Sequence, residues 1–117
     1  MDTITSYTRY KIFTVFNDIF KNKISTIENI TNTYGCNKKR LLKSSNQFND
    51  IIFVEIYRDD NDIERFINII NLIFRLSIYL ETVINVLCTK DDKSYISSMI
   101  EKIISIIDDE YRYYWDR

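Results

Sequence analysis

FINIINLIFRLSIYLETVINVLC, residues 66–88, is the most continuously apolar stretch of the chain, and its use decides the fold. It meets the roughly twenty residues that a membrane span needs. Its contents argue against that use, because Arg75 and Glu81 stand near its middle with Asn68, Asn71 and Asn85 beside them. Each central charge costs on the order of 2.5–3.5 kcal/mol to insert. The expected use is a helix enclosed by other helices, with no transmembrane insertion.

The flanks support this. Upstream, RDDNDIERF supplies a turn and a helix start, with Asp60 or Asn61 as N-cap and Asp62 and Glu64 near the positive end of the helix dipole. Downstream, a polar break at TKDDK is followed by a stripe of Ile96, Ile100, Ile103, Ile107, Tyr111 and Tyr114, with Met99, Ile104 and Ile106 alongside. Steps of three and four place these on one helical face. The first helix, from Ile4 to Ile30, shows the same spacing at Tyr10, Phe13, Phe16, Phe20, Ile24, Ile27 and Ile30, with Ile12 and Ile19 widening the stripe. Thr3 or Ser6 is its expected cap, Lys23 a place where it breaks, and Gly35 its stop. Between these helices, CNKKRLLKSSNQFND reads as a polar connection with one turn around Leu41 and Leu42. Ile51 to Tyr57, IIFVEIY, has strand-like content, but Phe48, Ile51, Ile52 and Ile56 share a helical face, and helix is preferred.

The expected fold is therefore all-α, one domain over residues 1–117, a compact helical bundle with the Phe66–Cys88 helix at its centre. The expected core is Phe13, Phe16, Phe20, Ile52, Phe66, Ile70, Ile73, Phe74, Ile84, Leu87, Ile100, Ile103 and Ile107.

Composition removes several function classes. Sixteen Lys and Arg against seventeen Asp and Glu give a net charge of −1, so nucleic acid is not an expected partner. MDTITSYTRYKIF has the pattern of no secretory signal, which suggests a reducing cytoplasm in which Cys36 and Cys88 are ordinary thiols. There is no His, hence no usual base near neutral pH and no usual catalytic zinc ligand. The single glycine is too few for a phosphate loop. The carboxylates of RDDND, TKDDK and IIDDEY are adjacent residues at helix ends and read as caps and turns. No catalytic residue, metal or cofactor is expected, and the chain is not read as an enzyme. Absence of Ala and Pro, with abundant Ile and Asn, points to an AT-rich genome such as that of a large DNA virus or an intracellular parasite.

One segment combines the residue types enriched at interface hot spots. DDEYRYYWDR carries Tyr113, Tyr114 and Trp115 with Arg112 and Arg117, and Tyr7 and Tyr10 of YTRY join the same patch if the termini meet. The competing use is structural, with Tyr111 and Tyr114 completing the core stripe and Trp115 covering the bundle end.

An all-helical domain of this size, with an almost wholly apolar helix, amphipathic helices around it and AT-rich coding, resembles the poxvirus Bcl-like proteins. NDIERFINII stands where the cellular branch of that family has its Asn-Trp-Gly-Arg signature. The resemblance implies a host-directed protein of the host cytoplasm that blunts apoptosis or innate immune signalling. It would bind a host protein through a groove or an adaptor-binding face, or associate with itself as a homodimer. The lack of an apolar tail after the last helix disfavours a membrane-anchored form. A second reading makes strands of YKIFTVF, the Leu41 segment and DIIFVEIY, an order similar to longin-type subunits of trafficking complexes. A third is a structural bundle subunit of a larger assembly.

Overall fold

A computed structural model describes residues 4–34 and 37–115. Among the described residues four helices follow one another: α1 (Ser6–Tyr34), α2 (Lys38–Ile56), α3 (Ile63–Leu87) and α4 (Lys93–Trp115). Among the described residues there is no strand, so the all-helical expectation holds and the sheet that a longin-type subunit needs is missing. Thr3, Gly35, Cys36 and Arg117 lie outside the described residues.

Short polar side chains start α1, α3 and α4, whereas Asn37 before α2 makes no side-chain cap. Thr5 Oγ1 accepts from the Thr8 N–H at 3.1 Å, between the two expected caps of α1. Asp62, later than expected, caps α3 by accepting from the Arg65 N–H at 3.0 Å. Asp92 does the same for α4, accepting from the Ser94 and Tyr95 N–H groups at 2.9 and 3.2 Å. Each carboxylate or hydroxyl satisfies backbone donors that the first helical turn leaves unpaired.

The helices alternate in direction. Phe13 meets Phe53 with ring centroids 5.2 Å apart, and Glu28 pairs with Lys38, so α1 and α2 are antiparallel. The Arg9 guanidinium lies over the Phe66 ring and Lys23 pairs with Glu81, so α3 runs beside α1 in the same direction. Arg40 pairs with Glu101, while Ser44 and Gln47 share a cleft with Asp108 and Tyr111, so α4 runs with α2. The result is a rod of 53 × 25 × 18 Å in which α2 packs most closely on α4, and the consecutive helices α3 and α4 touch least.

Two expectations fail for physical reasons. The polar connection is in truth the first part of α2, whose buried positions Leu41, Ser44, Ser45, Phe48, Ile51, Ile52, Glu55 and Ile56 keep a three-and-four rhythm. Two serines and a glutamate occupy core positions there, which hides the stripe. Small side chains suit a close helix approach, since interaxial distance follows the residues at the contact. α1, for its part, runs unbroken through Lys23.

The second correction concerns the centre of the bundle. α3 is not enclosed all round: it buries the stripe Phe66, Ile69, Leu72, Leu76, Leu80, Val83 and Leu87 and leaves Phe74 67% exposed. Ile70, Ile73 and Ile84 only flank the core. The fully buried side chains concentrate on α4, at Ile96, Ile100, Ile103, Ile104 and Ile107. With three other helices, of which α4 barely touches it, α3 has covers for one face only.

Candidate functional site

α3 carries two apolar stripes. One is the core stripe, and the other, Ile63, Ile67, Phe74 and Ile78, is spaced by four or seven residues and points outward. Beside it, Ile70, Ile73, Phe74 and Ile78 form one wall of a groove whose other wall is Ile12, Val15, Phe16 and Ile19 of α1. The groove holds about 440 Å³, and among the described residues Lys11 is the only charged one lining it. Val15 and Ile78 are each 55% exposed. Isolated exposed apolar residues are ordinary on a protein surface, whereas a contiguous set lining a groove makes this face the candidate site.

The same helix is, among the described residues, the one long and apolar enough to cross a membrane, and 28% of its most apolar window is buried. Two charges interrupt it. Glu81 forms an ion pair with Lys23 of α1, and Arg75 stands exposed with its Nε donating to the Asn71 carbonyl at 3.4 Å.

The groove is held by a polar knot at one end of the bundle. Arg9, buried despite its charge, donates from Nη1 to the Ile56 carbonyl at 2.5 Å and from Nη2 to the Asp60 carbonyl at 3.2 Å. Its guanidinium carbon sits 5.4 Å from the Phe66 ring centroid. Next to it, Glu55 and Arg65 make a two-pronged pair, Nε to Oε2 at 2.7 Å and Nη2 to Oε1 at 2.6 Å. Hydrogen bonding to Glu55 raises the Arg65 pKa further above its ordinary value. These bonds join the start of α1, the end of α2 and the start of α3, and so set how α1 lies beside α3. Such forked, charge-assisted bonds fix geometry as well as adding energy.

The aromatic residues singled out in the sequence divide. Tyr7, Tyr10, Tyr113 and Trp115 are exposed, whereas Tyr114 is only 7% exposed and belongs to the core. Tyr113 and Tyr114 line a wider cleft of about 750 Å³ with Asn68, Asn71, Phe74, Arg75, Asp109 and Glu110; Tyr7 and Tyr10 do not line it. Tyr7 instead lies against Lys11, and Trp115 stacks on Tyr111 with centroids 5.9 Å apart. Water serves the polar lining of that cleft well, and cannot serve the apolar groove. Phe74 borders both. Among the described residues, no three His, Cys, Asp or Glu side chains converge as metal ligands would.

No family model, curated protein or solved structure matches the chain. The site is therefore read from its own chemistry. Sequence reasoning missed it because the apolar arc of residues 66–88 was assigned to one purpose. The available signal was its width: an arc spanning both sides of a helix needs two covers, and the described helices provide one.

Proposed function

We propose that the protein is a non-enzymatic protein–protein interaction module that engages its partner through the apolar face shared by α1 and α3. The observation that carries this reading is the exposure of Val15, Phe74 and Ile78 on one continuous surface whose framework is fixed by the Glu55–Arg65 ion pair and the buried Arg9 guanidinium. Burial of such a surface is the main driving force of association, and aromatic side chains in it are the usual energetic anchors. The narrower reading, a viral protein that blunts host apoptosis or innate immune signalling in the host cytoplasm, draws its support from AT-rich coding and from the pattern-level resemblance described above.

Site-specific photocrosslinking in cells tests the reading. A benzophenone side chain at Ile78 is expected to give a discrete protein adduct, whereas the same group at the exposed Asn46 of α2 gives none. Mass spectrometry of the adduct identifies the partner, and an apoptotic or signalling protein supports the narrower reading. Absence of any adduct from Ile78, or equal adducts from both positions, overturns the assignment of the face.

A further inference from the structure

The charges at the edges of the apolar face say what fits it. On α1, Lys11 and Asp18 are seven residues apart and so share one edge; on α3, Glu64 and Arg75 are eleven apart and share the other. All four are exposed, and none forms an ion pair among the described residues. The contacts of Arg9 with Phe66 and of Lys23 with Glu81 place the two parallel helices in register, so Asp18 stands at the level of Arg75, and Lys11 stands between the levels of Glu64 and Arg75. Read in the same direction, one edge is therefore positive then negative, and the other negative then positive.

We infer that the occupant of this face is a second copy of the chain, related by a twofold axis parallel to the helices. This rests on the proposed role of the face as an interface. Such an axis lays α1 of one copy on α3 of the other, running the same way. Asp18 then meets Arg75 of the second copy, and Lys11 approaches its Glu64, each contact occurring twice. In the same arrangement Val15 and Ile19 fall between the levels of Ile70, Phe74 and Ile78, as interdigitating ridges do, and Ile12 lies level with Ile70. An anionic lipid surface calls for an excess of positive charge, and a partner helix of one sign calls for a rim of the other. A rim balanced within each edge and reversed between edges fits itself.

The size of the face sets the strength. Ile63 to Ile78 covers roughly 22 Å along α3 and Ile12 to Ile19 roughly 10 Å along α1, and each helix is about 10 Å wide, so the apolar contact is roughly 650 Å² over both copies. Stable interfaces begin at about 1,000–1,200 Å², and this one stays below that limit, so the charged rim has to supply its specificity. The dimer is therefore a weak, reversible one.

Sedimentation velocity over a concentration series tests this, with far-ultraviolet circular dichroism as the check on folding. The wild-type chain is expected to pass from monomer to dimer, and Phe74→Asp, at a mostly exposed position, to remain a folded monomer. Asp18→Arg and Arg75→Asp are each expected to weaken association at least tenfold. Mixed together, these two single variants form a heterodimer with both pairs restored, a rescue that only self-association by this axis provides. A chain that stays monomeric at several hundred micromolar overturns the inference, as does a dimer indifferent to Phe74→Asp or a mixture without rescue. A monomer that floats with phosphatidylcholine vesicles overturns it in favour of a lipid surface. A monomer that still crosslinks another protein from Ile78 overturns the second copy alone, whereas neither dimer nor adduct overturns the role of the face as well.

Discussion

α3 and α4 show that the amount of hydrophobicity and its burial are separate quantities. By composition α3 is clearly the more apolar helix, yet α4 is the more enclosed, with five isoleucines fully buried. α4 segregates its residues: Ile96, Ile100, Ile103 and Ile107 face inward, while Ser94, Ser98, Lys102, Ser105 and Asp109 face water. α3 spreads apolar residues around its circumference, and the bundle covers the half next to α1 and α2. What remains outside is the surface available to a partner.

This contrast can be broken by mutation. The largest effect is expected for Ile103→Ala, which empties a fully buried site on α4 and should cost about 4 kcal/mol, whereas Ile78→Ala on the outer face of α3 should cost no more than about 0.5 kcal/mol in the monomer. Urea denaturation of Phe74→Asp, with and without each change, measures both. Equal costs would show that the outer face of α3 is covered after all.

Next in size is the polar knot that sets α3 beside α1. Arg65→Met strands the buried Glu55 carboxylate and is expected to lower stability by about 3 kcal/mol, while Glu55→Leu combined with Arg65→Met recovers most of the loss. The same denaturation experiment reads it, and a double variant as unstable as the single one would assign the pair a net stabilising role beyond geometry.

Tyr79, on α3, should move stability the other way. Its buried hydroxyl has no hydrogen-bond partner among the described residues, so Tyr79→Phe is expected to stabilise by up to about 1 kcal/mol. Burial also raises the phenol pKa. The folded state therefore holds the proton more tightly than the unfolded one, and stability falls as pH rises from the ordinary phenol value through the raised one. Thermal melts at alkaline pH should show Tyr79→Phe losing part of that decline.

The smallest effect belongs to the exposed Arg58–Asp60 pair in the turn before α3. The hydrogen bond from Arg58 holds the Asp60 carboxyl below its ordinary value. Its contribution is present above the ordinary carboxylate pKa and is lost as pH falls through the lowered one, so Asp60→Asn should slightly flatten the acid limb of a stability profile. A large change there would mean that the turn controls the position of α3.

Periodicity and composition by themselves determined much of this protein. Three-and-four spacing marks α1 and α4 and the end of α2, turn-forming Asp and Asn residues mark the approach to α3, and the residue types leave no net positive charge and no histidine. The start of α2 was illegible because Ser44 and Ser45 are buried polar residues, acceptable only where a neighbouring helix comes close, just as Glu55 at its end is acceptable because Arg65 arrives from another helix. The face of α3 that meets the core was illegible for the opposite reason. A helix apolar on nearly all sides has no preferred rotation of its own, so Phe74 was as good a core residue in sequence as Leu76. Only the tertiary arrangement chose, because α1 and α2 supply cover on one side, α4 leans away toward α2, and the second apolar stripe is left facing outward.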